Sequence, residues 1–167
     1  MEKIKVGGIM QSDGRALLRV LGVPAGMGAS AAVLGALGGA GINIELIVLS
    51  HDLDQAANYG LVVSGKDLEH ALGVIEDVKV EVDGAGVSYI PDVAILSVFG
   101  PHLREKPVIP GAILGALNSV GVTCLAIATS ISSVSCVVEG AQLDTSLDAL
   151  TEVLDAPFQV KKRPKDY

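Results

Sequence analysis

Tryptophan is absent from these 167 residues, and three tyrosines and two phenylalanines make aromatics only 3% of the chain. Nucleobases would find few rings to stack on, and a formal charge of −7 repels a phosphate backbone. A nucleic-acid partner is therefore not expected. Basic residues cluster only at Lys161, Lys162, Arg163 and Lys165, at the end of the sequence, where a solvated tail is the plain reading. Cysteine is scarce too: Cys124 and Cys136 sit in apolar runs without ligand spacing around them and read as buried, reduced thiols. No segment reaches the roughly 20 uninterrupted apolar residues of a membrane-spanning helix. Met1 to Met10 carries Lys3 and Lys5 within an alternating pattern, unlike the continuous apolar stretch of a signal peptide. These absences lead us to expect a soluble cytoplasmic protein that meets no membrane.

What is present is aliphatic. Half the residues are hydrophobic, so the core must be built from Val, Leu, Ile and Ala, enough for one domain or for two of roughly 70 to 80 residues. An internal repeat decides for two. Leu34-Gly35-Ala36-Leu37 recurs as Leu114-Gly115-Ala116-Leu117, and the same offset of 80 carries Gly41-Ile42 onto Gly121-Val122 and Ser50 onto Ser130. Upstream the offset is 78, where Leu18 to Gly22 meets Leu96 to Gly100. Downstream it is 75, where Val62, Val63, Leu68, Leu72 and Ile75 meet Val137, Val138, Leu143, Leu147 and Leu150. Length differences thus fall in loops while apolar positions stay in phase.

Periodicity and punctuation give the same elements in each copy. The first reads as strand Ala16 to Gly22, a glycine-rich turn, helix Ala29 to Ala40 stopped by Gly41, strand Ile42 to Leu49, polar loop His51 to Asn58, strand Tyr59 to Val63 and helix Asp67 to Ile75. A last strand lies within Val78 to Ile90. The second reads as strand Val93 to Gly100, helix Gly111 to Val120, strands Val122 to Ala128 and Val134 to Val138, helix Leu143 to Leu154, and a closing segment Phe158 to Lys161. The expected fold class is α+β: two ferredoxin-like βαββαβ units, each an antiparallel sheet with both helices on one face. The strand-like run Ile4 to Met10 precedes the first unit and needs a partner for its backbone.

Several motifs have a bland and a sharp reading. Gly26-x-Gly28-x-x-Ala31, with Glu45 19 residues after Gly26, superficially fits a dinucleotide fingerprint, but Glu45 stands near the start of its strand rather than the end, which favours a plain tight turn. His51, Asp52 and Asp54 read as a solvated loop before a metal site. Ser132, Ser133 and Ser135 lack an activating His and a G-x-S-x-G elbow, so sheet hydroxyls are the ordinary explanation. His102, Arg104, Glu105 and Lys106 make either a surface loop or the lip of a carboxylate site. Leu34, Leu37, Leu114 and Leu117 read as core, and Asn43 as a residue lining an interface. No constellation for catalysis and no cofactor site emerges.

With the repeat in hand, the sequence resembles the paired ACT domains that form the regulatory region of aspartokinases, from about Val6 to Leu154. The resemblance rests on Gly22 to Gly28, on Ile42-Asn43-Ile44-Glu45 before an apolar strand, and on Ala128-Thr129-Ser130-Ile131-Ser132 followed by Val134-Ser135. Val6-Gly7-Gly8-Ile9 is similar to the short strand that precedes the first ACT domain in that family and is added to the sheet of the second. The resemblance implies domains at 14–90 and 91–160, the latter completed by strand 4–12. It implies a non-catalytic regulatory module of amino-acid biosynthesis, since the amino-acid kinase domain of the family has no counterpart in these residues, with a separate kinase subunit and a homodimer as its partners.

It also implies an effector, commonly lysine or threonine, held where the first strand-to-helix loop of one unit meets a strand of another. There a helix N-terminus offers N–H groups to an α-carboxylate, and a side-chain carboxylate with carbonyl oxygens holds the ammonium. Carried over, the effector residues are Pro24, Ala25, Gly26, Met27, Gly28 and Ala29 in the loop, Asn43, Ile44, Glu45 and Leu49 on the strand, and Thr123, Thr129 and Ser130 in the second unit. The charged clamps are missing, however. The family's Asp-Lys-Pro-Gly-like run is here Ala25-Gly26-Met27-Gly28, its strand Gln-Asn is Leu49-Ser50, its second Pro-Gly is Pro107-Val108, its Asn is Thr123, and its acidic residue after Thr-Ser is Ile131. Weaker binding, a shift towards a less polar amino acid, or a ligand-free dimerisation or scaffolding module are all compatible with that loss.

Overall fold

The structure, a computed structural model, describes residues 2–24, 28–79, 85–101 and 103–162. Its elements are β1 (Ile4–Lys5), β2 (Gly8–Val23), α1 (Ala29–Gly39), β3 (Ile44–His51), β4 (Ala57–Ser64), α2 (Leu68–Lys79), β5 (Gly86–Phe99), α3 (Ile109–Ser119), β6 (Ala126–Thr129), β7 (Ser133–Glu139), α4 (Leu143–Val153), β8 (Leu154–Asp155) and β9 (Phe158–Lys162). They form two units: residues 15–91, and residues 1–14 together with 92–167. β2 and β5 each supply residues to both.

In the unit of residues 15–91 the strand order is β3, β4, β2, β5, that of a ferredoxin-like βαββαβ sheet. β2 and β3 run antiparallel on either side of β4, with Leu18 and Ile47 both opposite Leu61. Alternate residues of the strands, Ala16, Leu18 and Val20 on β2 with Tyr59, Leu61 and Val63 on β4, point into one core, as a period of two requires. Onto it α1 lays Leu37, and α2 lays Leu68, Ala71 and Ile75.

The other unit repeats this with order β2, β5, β7, β6. Leu96 and Ile127 face Cys136 across β7, and Ala94, Leu96, Val98, Val134, Cys136 and Val138 meet Ile113 and Leu117 of α3 and Leu150 of α4. Val6 and Ile9 are buried in the same core. β1 pairs in parallel with β8, Val6 N–H donates to Asp155 O at 3.0 Å, and β9 runs parallel to the start of β2.

Both repeat helices end identically. Gly41 and Gly121 take φ of 74° and 75°, a left-handed conformation that only glycine enters without a Cβ penalty. Ile42 N–H then bonds to Leu37 O, and Val122 N–H to Leu117 O, each at 3.0 Å, and all four side chains are buried. A paired reversal and hydrophobic clasp thus closes each helix, as the position of Gly41 in the sequence predicts.

Four expectations change. The strand ending near Ile90 and the strand Val93 to Gly100 are one element, β5, because the fixed φ of Pro91 suits extended backbone and does not break it. Ile4 to Met10 is not one strand: a two-residue bridge precedes Gly8, where β2 already begins. The strand expected over Val122 to Ala128 is shortened to Ala126–Thr129, because Val122 is spent closing α3. Leu34 and Leu114 are half-buried, Leu34 still packing against the first core, whereas Val33 and Leu37, and Ile113 and Leu117, point inward. Part of the expected last strand of the first copy, residues 80–84, lies outside the described residues.

Leu37→Ala and Leu117→Ala should each cost about 2–5 kcal/mol in urea denaturation, the range for a buried leucine truncated to leave a cavity. Leu53→Ala, fully exposed in the turn after β3, should stay within about 0.5 kcal/mol.

Candidate functional site

Of the strand-to-helix loop in the unit of residues 15–91, Ala25, Gly26 and Met27 lie outside the described residues. Pro24 is exposed after β2. Gly28, at φ 112°, precedes α1 without a side-chain cap, and no acidic residue occupies the first turn, so the partial positive charge of the helix start is not met by its own helix. Ala29 is half-buried beside the core.

The strand register separates the other candidates. Leu49 stands opposite Tyr59, itself opposite Val20, which places it at the end of the sheet where β2 enters the loop. Asn43 and Ile44 lie at the far end of β3, with Ile44 opposite Val63 and so level with Ala16. Four residue steps along the strand, about 13 Å, divide Glu45 from Leu49. Within one unit, then, only the Leu49 end of the strand shares a level with the loop.

Glu45 is also engaged. Its Oε1 lies 2.6 Å from Arg15 Nε, with the two side chains 13% and 5% exposed, while Oε2 is buried without a hydrogen-bond partner. Paired there, Glu45 is not placed to hold a ribose beside Gly26 and Gly28. The metal reading of the neighbouring loop meets a structural alternative as well: Asp52 Oδ1 accepts N–H groups from Asp54 and Ala56, each at 2.9 Å, the familiar work of an Asp organising a turn.

In the second unit, Thr123, Thr129 and Ser130 are exposed. Thr129 ends β6, and Ser130 opens a turn in which its Oγ lies 2.9 Å from Ser133 Oγ and accepts Ser133 N–H at 3.1 Å. Gly100 N–H donates to Ser132 O at 3.0 Å, tying this turn to the end of β5. Ser135 pairs with Ser97 at 2.8 Å, so these hydroxyls bond to one another.

Beside Gly100 a cavity of about 310 Å³ opens, lined by Lys5, Val6, Gly7, Gly100, Pro101, Leu103 and Lys106. Two backbones meet in its wall. Gly7 N–H donates to Phe99 O at 2.7 Å, and a Cβ on Gly7 would lie 2.9 Å from that oxygen, one on Gly100 2.8 Å from Gly7 N. Lys106 reaches across to donate to Lys5 O. The result is an apolar floor beside the Lys106 ammonium, which is held on the Lys5 carbonyl, an arrangement that can take a small anion with an apolar body.

Of the loop singled out for its charge, Lys106 lines this cavity. His102 lies outside the described residues and the side chain of Arg104 is not described. Lys5 was missed, because it arrives from 101 residues away and its own surroundings in the sequence carry no signal.

The fold and the site define a class: paired ferredoxin-like, ACT-type units forming a regulatory module, with no arrangement of catalytic groups among the described residues. The particular likeness is to aspartate kinase. The chain superposes on the regulatory subunit of aspartate kinase from Thermus thermophilus, in its ligand-free form, with TM-score 0.82 and 25% identity, covering 90% of this chain and 99% of that one. For the regulatory subunit from Thermus flavus the values are 0.81, 26%, 89% and 97%. In sequence it is 26% identical over 159 residues to the aspartate kinase Ask_LysC of Stutzerimonas stutzeri, spanning 94% of this chain but 39% of that protein. No family model matches.

Arg15→Ala should destabilise the unit by about 3–5 kcal/mol, because it strands a buried carboxylate, and adding Glu45→Gln should recover part of that loss. A double-mutant cycle in urea measures the coupling, and additive effects of the two changes would count against a functional ion pair.

Proposed function

We propose that this chain senses an amino acid and transmits its binding to an aspartate kinase catalytic subunit, in the cytoplasm and as a homodimer. Each unit is read as one ACT domain, the second taking its outer strand from the front of the chain. The observation that supports this most is the match of 99% of a regulatory subunit by 90% of this chain. The effector is an α-amino acid of the lysine and threonine pathway or a less polar relative, since the aspartate-type clamp is replaced by Ala25 to Gly28. Pro24, Gly28, Ala29 and Leu49 are the candidate contacts of the first unit's own site, and Thr123, Thr129 and Ser130 those of the second unit's own site. In the second unit Lys106 offers charge to a carboxylate.

The second reading, a ligand-free dimerisation module, draws support from β3. Among the described residues it pairs only with β4 and leaves Ile47 and Leu49 41% and 43% exposed, an apolar edge of the kind a second copy can cover.

Thermal-shift measurements with lysine, threonine and apolar amino acids at millimolar levels separate the two. Ligand at 100 times its Kd adds about 2.7 kcal/mol to stability, so a true effector should raise Tm by several degrees. No shift with any of them would sink the sensing role. Light scattering after size exclusion should give twice the chain mass; a monomer at high concentration would remove the dimer from both readings.

A further inference from the structure

The cavity beside Gly100 belongs to the second unit alone, since all its lining residues fall within residues 1–14 and 92–167. It is a different place from the second-unit positions carried over from the family, because Thr123, Thr129 and Ser130 are not in its lining. At about 310 Å³ it stands at the small end of the roughly 300–1,000 Å³ usual for ligand clefts. Its occupant is a small molecule.

The walls are fixed before any ligand arrives. Val6 and Leu103 are buried in the core of the unit, and the main chains at Gly7 and Gly100 lie too close for a side chain on either. The N–H groups of Val6, Gly7 and Gly100 are spent on Asp155 O, Phe99 O and Ser132 O, and Pro101 has none to offer. An incoming anion must therefore find its partner in a side chain, and Lys106 supplies it. An ammonium carries three N–H donors; one bonds to Lys5 O, which pins the long side chain beside the cavity and leaves two for a ligand oxygen. A lysine already held in place loses less freedom when a ligand binds.

The same lining decides what the ligand lacks. Among the described residues its two ionisable members, Lys5 and Lys106, are both basic, and no aspartate or glutamate is there to balance an α-ammonium group. Lys5 O, a carbonyl that could accept from such a group, is taken by Lys106. A zwitterionic amino acid would bring a second cation beside a lysine without a counter-charge. We propose that this cavity binds a short, branched aliphatic monocarboxylate without an α-ammonium group, its carboxylate on Lys106 and its hydrocarbon body on Val6, Pro101 and Leu103. Two sources supply that chemistry, a 2-oxo acid and the saturated acid of the same skeleton. The site goes beyond the amino-acid reading and does not rest on it, since among the described residues none from Pro24 to Leu49 lines the cavity.

The test is an amide NMR titration of the isotope-labelled full chain with 4-methyl-2-oxopentanoate, 4-methylpentanoate and leucine, which share one carbon skeleton. At least one amine-free acid should bind, about tenfold or more tightly than leucine, with shifts concentrated at Val6, Gly7, Gly100 and Leu103. The tighter of the two acids names the source, and equal affinities assign recognition to the carboxylate and skeleton they share. Lys106→Met should weaken that binding by about tenfold or more, while Lys106→Arg, which keeps the charge, should stay within about threefold. If Lys106→Met does not fold, the arginine variant and the shift map of the unaltered chain decide. Neither acid binding at millimolar levels, leucine binding as tightly as both, an unchanged affinity in Lys106→Met, or shifts confined to residues outside the lining would each overturn the proposal. Lysine and threonine titrated alongside read the amino-acid role separately, so loss of one response is not mistaken for loss of the other.

Discussion

At Gly7 and Gly100 two stretches of backbone far apart in sequence pass with no room for a side chain on either. The Gly7 N–H to Phe99 O bond is 2.7 Å long, and a Cβ on either glycine would collide with the opposite main chain. Much of the second unit depends on that contact. It sets where Val6 and Ile9 enter the core, lets Val6 N–H reach Asp155 O, and leaves Lys5 facing the loop that supplies Lys106. The cavity wall is therefore a consequence of sheet assembly, and Lys106 reaches the Lys5 carbonyl because the backbones beneath them converge.

The rest of the architecture is the same solution used twice. An aliphatic core with almost no rings gains its stability from many modest burials, each about 1.5–3 kcal/mol for a Leu, Ile or Val side chain. That tolerance of interchange explains how two copies can keep a phase while sharing few identical residues. The polar exceptions stand out against it. Arg15 and Glu45 are a buried pair whose mutual neutralisation offsets a desolvation cost neither could bear alone. The same pairing removes Glu45 from the set of groups free to grip an ammonium.

Helices and central strands were legible in the sequence because each is decided by contacts a few residues away: Leu68, Leu72 and Ile75 on one helical face, alternation along β4 and β7, glycine where α1 and α3 must reverse. The repeat supplied a second, independent reading of every element. Boundaries failed where a residue had a second task. Val122 has the apolar look of a strand but closes a helix, and Pro91 reads as a break yet accepts extended backbone. Of the residues around the cavity, Lys106 could be picked out by type and place. Lys5 could not, and neither could the pairing of Glu45, since both depend on chain segments brought from elsewhere.

The sequence by itself determined that this is a duplicated α+β protein with an aliphatic core, since periodicity and glycine placement are local properties that any fold must honour. Only the tertiary structure decided which strands of the repeat are continuous, that residues 1–14 belong with 92–167, and where a cavity opens and which residues line it. Those outcomes are set by close packing between distant segments, where a few tenths of an ångström at a glycine or one register step in a strand changes what touches what.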